Sequence, residues 1–354
     1  MNLIYKSPSL SFAGAIAPDE KSLDQGVPWH YGDPLREQKL LSEKVATVDL
    51  SHLAVLEVTG EDRHTFLHSL TSADFLHTKP RDSLLTLILS PHGQIEHLLK
   101  AIIEENQIWL IIENFAKDQL LKYLTSMVFM SRVEIKDRSQ DFAVVHDSIF
   151  ELHEYSTWLT PVNFANHPIV NAGFSAGGDP NQYLKLRPGI FEGRQYLIPR
   201  NKLEDYLIAQ KNLAGTWALE ALRIAAVVVR EGFDFDHKTL PHEVGLIGNA
   251  VHLEKGCYRG QETVARVHNL GRPPRKLVLI HLDGLAERLP AMGSEVKLNG
   301  ETVGNSYSTT RHFELGPLAL ALVKSKTPDA AGVEIDAIAG SLQEIVTVEK
   351  SLKE

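Results

Sequence analysis

At Gly271-Arg-Pro-Pro274 the hydrophobic pattern changes period, and that break most constrains the fold. Before it, short alternating runs are interleaved with segments whose apolar residues recur at helical spacing. After it, "KLVLIHLDG", "EVKLNGETVG" and "GPLALALVK" alternate or run apolar between glycine turns, without a helical period. That second text predicts a small all-β domain, and the two prolines mark its boundary.

Upstream, the turn-rich "GVPWHYGDP" leads into the helical pattern "LREQKLLSEKV". A strand over Ala54 to Val58, a turn at Gly60 and a helix carrying Phe66, Leu67 and Leu70 follow. Hairpin turns are predicted at Pro91-His92-Gly93 and Glu104-Glu105-Asn106, then the helix "FAKDQLLKYLTSMVF". From Val133 a similar order returns: strand "FAVVHD", the connection "GFSAGGDPNQ", strands "YLKLR" and "RQYLIP", and the helix "NKLEDYLIAQKNL". Alternating hairpins and helices indicate an α+β class. The expected regions are 1–132, 133–271 and a β domain over 272–354.

Composition narrows the function classes. A net charge of -9 argues against a surface that tracks nucleic acid or anionic lipid along its whole length. Trp217, Phe233 and Phe235 read as core or cavity wall rather than as a base-stacking platform. One cysteine in 354 residues permits no internal disulfide and no cysteine-rich metal site, and fits a reducing compartment such as the cytoplasm. The N-terminus lacks a basic start followed by a long apolar run, so no signal peptide is predicted. No segment is long and apolar enough to span a membrane. His237, His242 and His252 show no ligand spacing, so no metal site is expected.

The one cysteine, Cys257, stands in Lys255-Gly-Cys-Tyr-Arg-Gly-Gln-Glu262. Val264 and Val267 share a helical face beyond it, so Cys257 is placed just before a helix N-terminus. The helix dipole with Lys255 and Arg259 would favour its thiolate, while Gly256 and Gly260 would let the backbone turn tightly. A buried small apolar side chain in a glycine turn is the other reading, and the residues alone leave both open. From Lys255 to Lys276 six cations (Lys255, Arg259, Arg266, Arg272, Arg275, Lys276) face one acid, Glu262, a basic island suited to an anionic small molecule.

"TLPHEVGL" followed by "KGCYRGQETVAR" resembles the signature of the YgfZ-type folate-binding proteins, relatives of the glycine-cleavage T-protein, an aminomethyltransferase. "WHYGDPLREQKLLSEKVATVDLSHLAVLEVTGEDRHTFL", "LRPGIFEGRQYLIP" and "ALEALRIAAVV" resemble further blocks of that superfamily. The resemblance implies two intertwined ferredoxin-like α+β domains and a C-terminal β-barrel around a central tetrahydrofolate cavity. It carries the functional thiol onto Cys257 with Lys255 beside it. Gly256, Tyr258, Arg259, Gly260, Gln261 and Glu262 complete the motif. Folate contacts carry over to Glu96, His97, Arg187, Glu192, Arg223 and Arg266.

This chain departs from T-proteins where they hold paired aspartates, since "HGQIEHLLK" has Glu96 and His97 there. Ile190 and Leu197 stand where T-proteins carry a tyrosine and a pterin-binding glutamate, and Cys257 where they usually carry an aspartate. The departures favour a tetrahydrofolate-binding accessory protein that supports assembly or repair of iron–sulfur clusters in client enzymes, rather than a conventional aminomethyltransferase. A tetrahydrofolate-dependent aminomethyltransferase is the alternative. A cysteine hydrolase using His268 is weaker, because nothing positions that pair.

Overall fold

The structure is a computed structural model and describes residues 5–147, 154–159, 191, 193–270, 272–285 and 287–345. Helix α1 (Pro34–Ser42) starts at an Asp33 cap with proline in its first turn. Strands β1 (Thr47–Asp49) and β2 (Ala54–Thr59) lead to α2 (Arg63–Leu70). A meander follows: β3 (Ser83–Leu89), β4 (Ile95–Ile103) and β5 (Gln107–Ile112), with α3 (Lys117–Met127) and β6 (Glu134–Asp137). The next group is β7 (Phe142–Asp147), β8 (Thr157–Leu159), β9 (Arg194–Pro199), α4 (Leu203–Ile208), β10 (Leu213–Ala214), α5 (Thr216–Ala225) and α6 (Gln261–Leu270).

Two five-stranded sheets form from these, in the orders β3-β4-β5-β2-β6 and β10-β1-β7-β9-β8. The chain crosses between them. β1 pairs parallel with β10 and antiparallel with β7, while β6 returns to lie beside β2 in the other sheet. Because β1 pairs with strands that follow the whole of the other sheet, β2 to β6, the two α+β units are intertwined and no single cut in the chain separates the sheets. The strands "YLKLR" and the connection "GFSAGGDPNQ" lie outside the described residues.

Period-two alternation gives each sheet two apolar faces. On the first, Leu84, Ile88, Leu99, Ala101 and Leu110 pack with Phe66 and Leu67 of α2 and with Leu120 and Leu124 of α3. The alternate residues Leu85, Leu87, Trp109 and Ile111 face inward. On the second sheet Ala143, Val145, Tyr196 and Ile198 pack against Leu203 and Leu207 of α4, while Val144 and Leu197 face inward. Both inner faces join one shared core with α5, so whatever space remains between the sheets is walled by two of them.

Beyond Pro274 the predicted β domain is a closed six-stranded barrel. Its strands are β11 (Arg275–Leu282), β12 (Glu295–Leu298), β13 (Glu301–His312), β14 (Gly316–Lys324), β15 (Gly332–Ile335) and β16 (Ile338–Glu344). Closure leaves no unpaired edge. The barrel is fastened to α1 through Gln38, whose amide donates to the Arg311 carbonyl at 3.0 Å and accepts from the Phe313 N–H at 2.9 Å. No helix among the described residues is long and apolar enough to cross a membrane.

Candidate functional site

A cavity of about 80 Å3, opening to solvent, lies between the inner faces of the sheets and α5. Leu85 of β3, Leu98 of β4, Trp158 of β8 and Phe191 give it apolar and aromatic walls. On β4 the alternation that points Leu99 and Ala101 into the outer core turns Leu98 and Lys100 toward the cavity.

Lys100 is the unusual member of that wall. Its ammonium donates to Gln195 Oε1 of β9 at 3.1 Å and sits 5.1 Å above the Trp158 ring. Among the described residues no carboxylate lies within ion-pair distance of it. Burial pushes its pKa down to about 8, with Glu113 pulling it back upward.

The other cations on the wall are committed. Arg230 binds Asp24 at 2.7 Å, Glu113 at 2.7 Å and Glu220 at 3.0 Å. Arg223 uses all five N–H donors, on both oxygens of Glu220, on Asp234, on Ser308 of β13 and on the Val228 carbonyl. Burial raises Asp24, but Arg230 and His52 outweigh it and hold the carboxyl well below the usual range. This cluster joins the N-terminal segment, β5, α5 and the barrel in one charge-balanced unit.

The cysteine turn is a separate place. Cys257 is exposed and is not among the residues lining the cavity. Tyr258 next to it is buried in the shared core. The Lys255 ammonium turns inward and donates to the main-chain carbonyls of His68 in the last turn of α2 and of Thr71 (2.6 Å) and Ala73 (2.8 Å) just beyond it. Burial pushes its pKa toward about 7, yet three carbonyl acceptors can be satisfied only by an ammonium with three donors, so we take it as charged at neutral pH. Gln261 donates to the Lys255 carbonyl at 3.1 Å, closing the turn onto the start of α6, where Glu262 is exposed.

Two elements that the sequence keeps far apart meet at this turn. Arg259 holds Glu96 of β4, and Gly260, at φ +83°, packs on the β3–β4 turn, where a Cβ would come within 2.5 Å of the Ser90 carbonyl oxygen. Gly256, by contrast, is exposed, with only His68 Nε2 at 4.0 Å from such a Cβ.

The residues carried over as folate contacts are dispersed. Arg223 lines the cavity with its donors occupied. Glu96 is half outside on Arg259, and His97 is buried with Nδ1 3.1 Å from Glu231. Arg266 is exposed on α6. Arg187 and Glu192 lie outside the described residues. The basic island is also largely spent: Arg275 binds Asp236 and Glu243, and Lys276 binds Glu344 at 3.0 Å. None of its six cations lines the cavity. Lys100, Gln195 and Trp158 were missed by the sequence reading. The available signal was one lysine on the inward-facing positions of the strand "IEHLLKAII".

An α+β pair of intertwined sheets followed by a closed barrel is a fold this chain shares with a solved glycine-cleavage T-protein. Aminomethyltransferase T of Bartonella henselae superposes with a TM-score of 0.71 over 94% of each chain at 17% identity, a likeness of fold. Residues 24–146 match the GCVT N-terminal domain. The aminomethyltransferase of Thermotoga petrophila is 25% identical over 345 residues, covering 92% of this chain and 90% of the relative. A chloroplastic protein of Arabidopsis thaliana, named as a candidate transferase, is 26% identical over 77% of this chain. The match spans 65% of that plant protein's length, short of two thirds. Together these matches support a place for the chain in the T-protein superfamily.

Proposed function

We propose that this protein is a tetrahydrofolate-binding accessory factor that supports assembly or repair of iron–sulfur clusters in client enzymes of the cytoplasm, with Cys257 as its working thiol. The observation that carries this reading is the separation of two features. The turn that holds paired aspartates in T-proteins here has Glu96 engaged by Arg259 and His97 engaged by Glu231, and neither lines the cavity. No acid–base group from that turn faces the space where a reduced folate would lie, whereas Cys257 is presented to solvent.

The lining of the cavity suits a reduced folate in its chemistry. Trp158 and Phe191 offer flat apolar walls for a ring system, and Lys100 with Gln195 offers donors at one end. Reduced folates carry one-carbon units on their ring nitrogens. The chain's own contribution is to exclude water with Leu85 and Leu98 and to orient the ligand through Lys100 and Gln195.

The aminomethyltransferase alternative draws on the match to Thermotoga petrophila aminomethyltransferase over most of the chain. Two measurements decide. Calorimetry should show tetrahydrofolate binding; no heat and no thermal shift would remove the folate assignment. In cells lacking the native gene, Cys257→Ala should lower iron–sulfur enzyme activities while Glu96→Ala has the smaller effect. The opposite ranking, or glycine-cleavage turnover by the purified protein with its partner proteins, would establish the methyltransferase reading instead.

A further inference from the structure

We propose that Lys100 and Gln195 form the anion-recognising corner of the central cavity, so that its ligand is an aromatic molecule bearing a carboxylate, which under the folate reading is a glutamyl carboxylate.

An ammonium withdrawn from water is costly unless paired, and proteins retain one on an apolar wall where something else repays the cost. Every neighbouring cation already has its repayment inside the fold. Arg230 has Asp24, Glu113 and Glu220, and Arg223 has Glu220 and Asp234. Lys100 has only the neutral amide oxygen of Gln195 and the face of Trp158. An ammonium carries three donors, so two remain for a ligand. Gln195 is 3% exposed and gives its side-chain oxygen to Lys100. Its amide nitrogen has no acceptor among the described residues, which adds two more donors at the same corner. Four donors, two of them on the ammonium, beside an indole face and apolar side chains, match a carboxylate attached to an aromatic body.

A structural role is disfavoured by position. Lys100 closes no loop, caps no helix and joins no barrel strand, in contrast to Lys255 on its three carbonyls. A methionine of similar length would fill the same wall without a charge to desolvate.

The test is calorimetry on the full chain with four probes: tetrahydrofolate, p-aminobenzoylglutamate, a tetrahydropterin without carboxylate, and 2-naphthoate compared with its neutral amide. Lys100→Met should weaken tetrahydrofolate and p-aminobenzoylglutamate by about 10- to 100-fold, the scale of one charge-assisted hydrogen bond. Lys100→Arg should retain most of the affinity, and tetrahydropterin binding should not depend on residue 100. A melting temperature for Lys100→Met no lower than the wild type would show that the fold is intact. The naphthoate pair needs no variant, since the wild type should prefer the acid. If tetrahydrofolate does not bind but naphthoate binds through Lys100, the folate reading falls and the anion assignment stands. Equal binding of acid and amide, unchanged carboxylate affinity in a folded Lys100→Met protein, Lys100-dependent tetrahydropterin binding, or no probe binding at all would each overturn the proposal.

Discussion

Arg259, two residues after the single cysteine, grips Glu96 on β4 with both terminal nitrogens, Nη1 to Oε2 at 2.8 Å and Nη2 to Oε1 at 3.2 Å. The bond ties the cysteine turn to the strand whose inward face carries Lys100. The thiol and the cavity are thus distinct places that share β4, through Glu96 on one and Lys100 on the other.

That connection should depend more on glycine than on charge. The Arg259 and Glu96 side chains are 31% and 34% exposed, so Arg259→Ala should cost only about 0.5–1 kcal/mol. Gly260→Ala places a Cβ 2.5 Å from the Ser90 carbonyl oxygen at a φ of +83°, and should cost about 1–3 kcal/mol. Urea unfolding of the two variants checks the ranking, and equal losses would contradict it.

Lys255 should prove to be a stability residue before it is anything else. Lys255→Met leaves the carbonyls of His68, Thr71 and Ala73 without their shared donor, a loss of about 1–3 kcal/mol. Lys255→Arg should not rescue it, because a planar guanidinium cannot reproduce a three-pronged ammonium. The measurement is denaturant unfolding; a Lys255→Met protein as stable as the wild type would free this lysine for a role at the thiol.

The contrast explains what the sequence could reveal. Hairpins at Pro91-His92-Gly93 and Glu104-Glu105-Asn106, the amphipathic α3 and the break at Pro273-Pro274 are local patterns, and each has its counterpart in β3 to β5, α3 and the barrel. The placement of β1 in the sheet of the later strands β7 to β10 follows from long-range pairing, which no local period encodes. Charges were hardest to read. Lys255 beside Cys257 suggested an electrostatic partner for the thiol, yet its four-carbon stem reaches inward to α2. The cations from Arg259 to Lys276 looked free because Glu96, Asp236, Glu243 and Glu344 come from distant segments. Nothing local marks Lys100, because only the second sheet, through Gln195 and Trp158, turns its position into a cavity wall.

Two histidines should make the fold acid-sensitive. Burial, with Lys100 in second place, pushes His146 down to about 3; burial, with His268 second, does the same to His242. Both are held neutral in the fold and take up a proton at about 6.5 once unfolded. The unfolded chain therefore binds more protons between pH ~6.5 and ~3, and stability falls as the pH is lowered through that window. His146→Phe should flatten the acid limb of a stability–pH curve. An unchanged limb would show that His146 is protonated within the fold.

Lys100 should leave the opposite signature on the alkaline side. Its folded pKa near 8 lies below the unfolded value of 10.5, so between those pH values the unfolded chain holds a proton that the fold has released. Stability then rises with pH across the window, because the cost of burying an ammonium disappears. The charged groups around it are Glu113 and Glu220, which favour the ammonium, and Arg223 and Arg230, which oppose it. The difference between wild type and Lys100→Met cancels every other alkaline titration. Lys100→Met should be the more stable protein at pH 7 by about 1–3 kcal/mol, after allowance for partial solvent contact. That advantage should shrink steadily toward pH 10. A carboxylate ligand at Lys100 restores the missing counter-charge, so saturating p-aminobenzoylglutamate should favour the wild type at neutral pH and lose its effect as the pH passes that of the bound lysine. Denaturant unfolding from pH 7 to 10, with and without ligand, reads both trends, and parallel curves for the two proteins would show that Lys100 keeps its ordinary protonation in the fold.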